Sequence, residues 1–305
     1  MTVSSIETRT GEWIWGPVQR GDASIDECAV AHVLLEHDTL STRGTMIDVG
    51  AHHGSAFRRF VRDGWRVVAF EPDSVNRAVL EASTEAGWDL TIDDRALSDH
   101  PERDVSFFRS EESTGISGLS AFHESHELVD SVDLTTLAEV LIEFGVEHVH
   151  FLKIDTEGHD HRVLRGFPWH IDRPDVIVCE FEDAKLRPGS ATLQAEYLLE
   201  LGYNVVISEW HPVVRYGIPH DFRGLWTFEQ NDQVTTAGFG NMIALRPDLA
   251  SSVPAAVTTV VKQRGRLTKR APETPDAKDP SNGMSAPATN NMAHSPSRGR
   301  TYRAI

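Results

Sequence analysis

Short apolar runs alternate with segments of helical period along most of the chain. Thr45–Val49 (TMIDV) is apolar enough for a strand buried on both faces. Ser55–Arg62 then places Ala56, Phe57, Phe60 and Val61 at helical spacing, with Arg58, Arg59 and Arg62 between them, and Gly64 ends the helix. Arg66–Phe70 (RVVAF) is a second strand, which delivers Glu71, and Pro72 bars further ladder pairing. This order predicts a βαβ unit. The alternation continues with a helix over Ser74–Ala86 capped by Ser74, a strand at Trp88–Ile92 and an extended piece at Val105–Arg109. An amphipathic helix at Leu134–Phe144 is followed by a strand at His148–Ile154 and a short helix over Arg162–Gly166. Asp175–Phe181 reads as a strand, Ala191–Leu201 as a helix, and Asn204–Glu209 and Gly240–Leu245 as strands. Such a pattern predicts an α/β fold with a doubly wound, mostly parallel sheet and helices on both faces.

The flanks read differently. Residues 1–44 form a helical or docking segment, with a short strand near Glu12–Gly16 and a helix over Asp26–His37 capped by Asp26. Residues 45–250 hold the α/β domain. Polar Glu111–Ser120 and the following His123–Asp130 are the expected acceptor pocket, and aromatic, loop-rich Trp210–Gly238 a lid or acceptor wall. From about Val261 the chain turns polar and basic, with nine Lys/Arg and three Asp/Glu from Lys262 on, so residues 261–305 are expected to be a disordered basic tail.

Charge narrows the partners. A net charge of −17 disfavours polyanions, so no nucleic-acid partner is expected. Only two cysteines, Cys28 and Cys179, are present, which fits a reducing cytosol rather than a disulfide framework. No signal peptide and no membrane span are expected, and the localisation reads as cytoplasmic.

Chemistry concentrates at the first strand end. In open α/β sheets, ligands bind outside the carboxyl ends of the strands. Gly50 lets the backbone turn tightly, and Glu71, about 20 residues on, stands where a carboxylate accepts hydrogen bonds from both hydroxyls of a ribose. A dinucleotide needs a second glycine two residues after the first, but His52 occupies that place and crowds a pyrophosphate. S-adenosylmethionine (SAM) has no phosphate and carries a sulfonium and an ammonium, which Asp48 suits. Asp48, Gly50, Ala51, His52, Gly54 and Glu71 are therefore assigned to SAM. Asp93 and Asp94 follow the third strand, where an acid accepts a hydrogen bond from an adenine amino group, and Asp94 joins the cofactor set. A solvated turn acid is the alternative.

A second cluster is Lys153-Ile154-Asp155-Thr156-Glu157-Gly158, at the end of the fourth core strand beside the first. It faces the reactive part of the cofactor. Three ordered motifs now stand in the chain: Asp48-Val49-Gly50-Ala51-His52-His53-Gly54, Ala69-Phe70-Glu71-Pro72, and Lys153 to Gly158. Together with Ala96-Leu97-Ser98-Asp99 and Val132-Asp133-Leu134-Thr135-Thr136-Leu137, they resemble the FkbM family of SAM-dependent methyltransferases over roughly residues 45–182. His52 stands where that family usually has Asn. The resemblance implies a Rossmann-like class I methyltransferase fold and methyl transfer to an oxygen, typically a hydroxyl on a sugar or another small natural product. The acceptor is then a small molecule or a glycan. A hydroxyl acceptor loses its proton during attack, and a general base contributes about 10²- to 10⁴-fold. Asp155 and Glu157 are candidates by placement, and His159 and His161 by chemistry. Lys153, Asp155, Glu157 and His159 make up the candidate reacting end; a structural Lys153–Glu157 ion pair and exposed helix-turn histidines are the plainer readings. Asp155, His159, Glu180 and Glu182 have the chemistry for a divalent cation but not the tight ligand spacing, so no metal is assigned. An NAD(P)-dependent oxidoreductase and a non-catalytic SAM- or nucleoside-binding protein are the alternatives.

Overall fold

A computed structural model describes residues 11–18, 25–38, 43–110, 114–182, 190–212, 220–234 and 239–268. A short strand, β1 (Trp13–Trp15), leads to helix α1 (Glu27–Asp38). The βαβ unit follows as β2 (Thr45–Val49), α2 (Arg58–Arg62) and β3 (Arg66–Phe70), then α3 (Ser74–Ala82) and β4 (Leu90–Asp93). An excursion of three strands comes next: β5 (Ala96–Ser98), β6 (Glu102–Ser110) and β7 (His126–Thr136). The chain returns through α4 (Leu137–Glu143), β8 (Phe151–Ile154), α5 (Asp160–Arg165), β9 (Val176–Glu182), α6 (Ser190–Glu200) and β10 (Asn204–Trp210). Strands β11 (Phe222–Phe228) and β12 (Phe239–Leu245) and helix α7 (Val253–Thr268) complete it.

Among the described residues, nine strands make one sheet in the order β1-β11-β10-β12-β9-β8-β2-β3-β4, and β5-β7-β6 make a second. β4, β3, β2, β8 and β9 are parallel neighbours, and β12 runs antiparallel between β9 and β10. Strand order reverses between β2 and β8, the switch point at which such sheets bind ligands. Alternate residues of one strand serve opposite faces. Met46 joins a core with α1, α2 and α7, while Ile47 and Val49 join a second core with α4, α5 and α6. The doubly wound α/β architecture is thus as expected: a Rossmann-like class I methyltransferase fold.

Several local expectations change. Residues 55–57 form turns, so the predicted Ser55–Arg62 helix is only Arg58–Arg62. Asp73, not Ser74, caps α3, accepting from Val75 N (2.8 Å) and Asn76 N (3.3 Å). Leu134–Thr136 belong to β7, and α4 starts at Leu137 because Thr136 and Glu139 close a capping box. Trp210–Gly238 is not all loop: β11 pairs antiparallel with β10 within it, while 213–219 and 235–238 lie outside the described residues. The expected tail from Val261 begins inside α7, which runs to Thr268; the rest of the tail lies outside the described residues. No helix among the described residues is long and apolar enough to cross a membrane.

The end of the sheet away from the glycine turn is tied by a charged cluster. His148 donates to Asp172 Oδ1 (2.7 Å) and Asp175 Oδ1 (3.1 Å), and Arg246 also holds Asp175 (2.6 Å). The hydrogen bond to Asp172, then that to Asp175, pushes the His148 pKa up to about 9. His148, His150 and Asp175 lie within metal-ligand reach of one another, but His148 donates both ring N–H groups and His150 Nδ1 accepts from Thr45 N. Neither ring then offers a free lone pair. Because the folded pKa of His148 is raised, its stabilisation is complete below pH 6.5 and is lost as pH rises toward 9. With solvent screening of this half-exposed ring the loss is about 1–2 kcal/mol. Urea unfolding of His148→Gln across that range is expected to lack this part of the slope.

Candidate active site

A cavity of about 420 Å³ opens at the C-terminal ends of β2, β3 and β8. That is within the size range of small-ligand sites. Asp48, on β2, is 1% exposed and lines it, and among the described residues neither of its carboxylate oxygens has a hydrogen-bond partner. Burial pushes its pKa up to about 7, although Lys153 works against the shift. An unpartnered buried carboxylate is costly. It fits a ligand that brings cationic or N–H groups, as SAM does.

The glycine turn follows directly. Gly50 has φ +78°, and a Cβ there would lie 1.9 Å from the Asp155 carbonyl oxygen. The ends of β2 and β8 meet at that point, so no side chain fits. His52 takes φ 49° and stacks on His53 with ring centroids 3.7 Å apart. That left-handed conformation explains the place of histidine in the motif, since Asn, Asp and His tolerate it better than most residues. Burial, then His53, lowers the His52 pKa. Glu71 accepts from His52 N (2.6 Å) and Asp73 N (2.9 Å), one bond on each oxygen, and burial first of all pushes its pKa up to about 7. Ala51 and His52 line the cavity, whereas Gly54 sits behind it, against Leu80 and Phe57.

The β5–β7 excursion supplies a wall through Phe107, Gly118 and Leu119. It is anchored by Asp73, whose oxygens accept from Arg109 Nε and Nη2 (2.7 Å each) and from Ser117 Oγ (3.0 Å). Ser117 lines the cavity, so one aspartate ties the wall to the end of β3. Of the polar loop expected to hold the acceptor, 115 and 117–119 line the same cavity as the glycine turn, and 111–113 lie outside the described residues.

Beside the glycine turn, at the end of β8, Lys153 Nζ donates to Asp155 Oδ2 (2.9 Å) and to the Ile154 carbonyl (3.3 Å). Burial opposes its charge, but Asp155 and then Asp48 among the acids outweigh burial and raise its pKa. The described partner of Lys153 is therefore Asp155 rather than Glu157. Glu157 has φ 56° and lines the cavity. His159 also lines it, sharing a hydrogen bond with Ser98 Oγ (3.0 Å), and burial, then Arg162, lowers its pKa to about 4. A neutral imidazole results. His161 does not line the cavity; it meets the Tyr197 ring instead. Asp155, Glu157 and Glu180 bring carboxylate oxygens within 4.8 Å of one another, whereas His159 and Glu182 are not in that group.

One cofactor expectation falls at a different place. Asp94 is exposed and does not line the cavity. Asp93 beside it is held by Arg95 N (2.9 Å), Nε (2.9 Å) and Nη2 (2.7 Å). The chain turns so that Arg95, Ala96 and Leu97 reach the cavity. Sequence reasoning also missed Asp26, Glu27 and Cys28 of the α1 start, and Asn241 of β12, all of which line it.

A mostly parallel sheet in which β12 and β11 are reversed, a glycine turn after its central strand and an acid ending the next define a class I SAM-dependent methyltransferase. Within that class, the chain belongs to the FkbM methyltransferase family: the family model described as "Methyltransferase FkbM domain" matches residues 48–205, just over half of the chain. No curated protein matches the sequence. Among solved structures, the chain resembles an O-methyltransferase from Bacillus cereus in complex with SAH at 12% identity and TM-score 0.39, covering 74% of this chain and 83% of that one. It resembles magnesium protoporphyrin IX methyltransferase from Synechocystis PCC 6803 with bound SAM at 10% identity and TM-score 0.37, covering 74% and 86%. Precorrin-6y C5,15-methyltransferase from Geobacter metallireducens matches at 12% identity and TM-score 0.38, covering 71% and 87%.

Proposed function

We infer that the protein methylates a hydroxyl of a small acceptor, a sugar or another natural product, using SAM. Asp48, Gly50, Ala51, His52 and Glu71 would hold the cofactor, with Gly54 shaping the turn behind them. Bound SAM supplies a methyl group already activated on a sulfonium. The observation that carries the oxygen acceptor is the acidic reacting end. Asp155 and Glu157 line it, and the lysine there, Lys153, is buried against Asp155. Such a wall accepts protons and hydroxyl hydrogen bonds and repels phosphorylated or polyanionic acceptors. Two buried, unpaired cysteines support a reducing cytosol as its place of action.

Incubation with SAM and a panel of hydroxylated sugars and natural products tests the reading. Release of S-adenosylhomocysteine (SAH) together with a product heavier by one methyl is expected. Release of SAH with methyl found only on nitrogen or carbon acceptors would refute the oxygen specificity.

A further inference from the structure

The start of α1 carries a carboxylate that the strand-end motifs do not account for. Glu27 is 8% exposed, yet it lines the cavity. Three donors converge on its Oε1: Ser208 Oγ, Trp210 Nε1 (3.2 Å) and Asn241 Nδ2 (3.3 Å). Among the described residues no cation pairs with it. Ser208 and Asn241 face each other in register across β10 and β12, and Asn241 in turn faces Glu180 of β9. Asp48 and Lys153 are likewise in register across β2 and β8, and Lys153 faces Val178, two residues before Glu180. Cross-strand partners and alternate residues share a face, so all of these groups project toward α1. Glu27 and its three donors lie outside the 48–205 segment that the family match covers.

We propose that Glu27 is the carboxylate that faces the transferring methyl and takes the proton of the acceptor hydroxyl; this rests on the O-methyltransferase reading above. The hydroxyl proton passes to Glu27 as the acceptor oxygen bonds to the methyl carbon and the carbon–sulfur pair returns to sulfur, leaving the methyl ether, SAH and a protonated Glu27 that later gives its proton to water.

A neutral glutamine would satisfy the same three donors without the cost of a buried charge, so structure alone does not call for an acid. Three bonds to one oxygen orient the carboxylate. Burial raises its pKa, which the bond from Ser208 offsets only in part. That direction moves a carboxyl toward the range of an effective base at neutral pH. Asp155 is the rival, but its Oδ2 is engaged by Lys153 and its side chain is 42% exposed.

Calorimetry with two probes tests this without knowledge of the acceptor. SAH has no group at the methyl position, whereas sinefungin carries an amino group there, cationic when protonated. The wild-type protein is expected to bind sinefungin more tightly than SAH. Glu27→Gln should lower that preference about tenfold or more while leaving SAH affinity within about twofold. Glu27→Asp, which keeps the charge but draws it back, should lose part of the preference and guards against a misfolded amide variant. A wild-type protein that binds both probes equally overturns the proposal. So does a Glu27→Gln effect on both probes alike, or a preference removed by Asp155→Asn instead. Failure of the wild type to bind SAM, SAH or sinefungin at all would refute the SAM reading itself.

Discussion

Lys153→Met is expected to destabilise the protein by about 3–5 kcal/mol at pH 8 and by far less at pH 5. The ammonium is 7% exposed, pairs with Asp155 and offsets the unpartnered carboxylate of Asp48. Removing one member of a buried charged group leaves the others uncompensated. At pH 5 Asp48 is protonated, because its pKa is about 7, and little charge needs offsetting. Loss of Lys153 also removes the one opposing influence on Asp48, so the folded pKa rises further. A raised folded pKa means stability that is complete below the unfolded value and lost as pH rises through the folded one. Wild type stops losing stability from this group near pH 7, and the variant goes on losing it above that. Urea unfolding at pH 5 and pH 8 reads the difference. An equal cost at both values would mean that Asp48 is not the group Lys153 serves.

The strand-end chemistry was legible because it is local. Asp48, Gly50 and Glu71 occupy fixed offsets from two apolar runs, and β2–β3 pairing then brings them to one cavity. His52 was legible as a position but not as a residue until its φ of 49° was known. Where a choice lay between adjacent residues of equal propensity, pattern gave no answer. Asp73 and Ser74 are both good caps, and Asp93 and Asp94 are both turn acids, yet one member of each pair is taken by the fold. The β7–α4 boundary failed for a related reason: Leu134–Thr136 fits a strand as well as a helix. Groups joined across long sequence distances left no signal. Asp73 meets Arg109 36 residues away, and Glu27 meets Ser208 and Asn241 at separations of 181 and 214. No periodicity links such positions; only the sheet order brings them together.

Glu71→Ala is expected to weaken SAM binding by about 10²-fold or more, at roughly 1.5 kcal/mol for each of two hydrogen bonds to an ionised group. Each Glu71 oxygen already accepts one backbone N–H, from His52 or Asp73, and keeps a second lone pair for a ligand hydroxyl. The two backbone bonds fix the carboxylate plane, so two neighbouring hydroxyls on a ribose meet it without reorganisation. A SAH analogue lacking the ribose hydroxyls separates this effect from general damage. Wild type should bind that analogue as weakly as Glu71→Ala does, and the variant should not distinguish it from SAH. If the variant still prefers SAH tenfold, Glu71 is not the ribose acceptor. Protons give a second readout. In the cofactor-free protein Glu71 and Asp48 each titrate at about 7, so both are largely protonated at pH 6. A ligand that donates to their ionised forms releases protons on binding, and its affinity rises from pH 6 to pH 8. Calorimetry in buffers of different ionisation enthalpy should count more protons released by wild type than by Glu71→Ala near pH 6, the remainder belonging to Asp48.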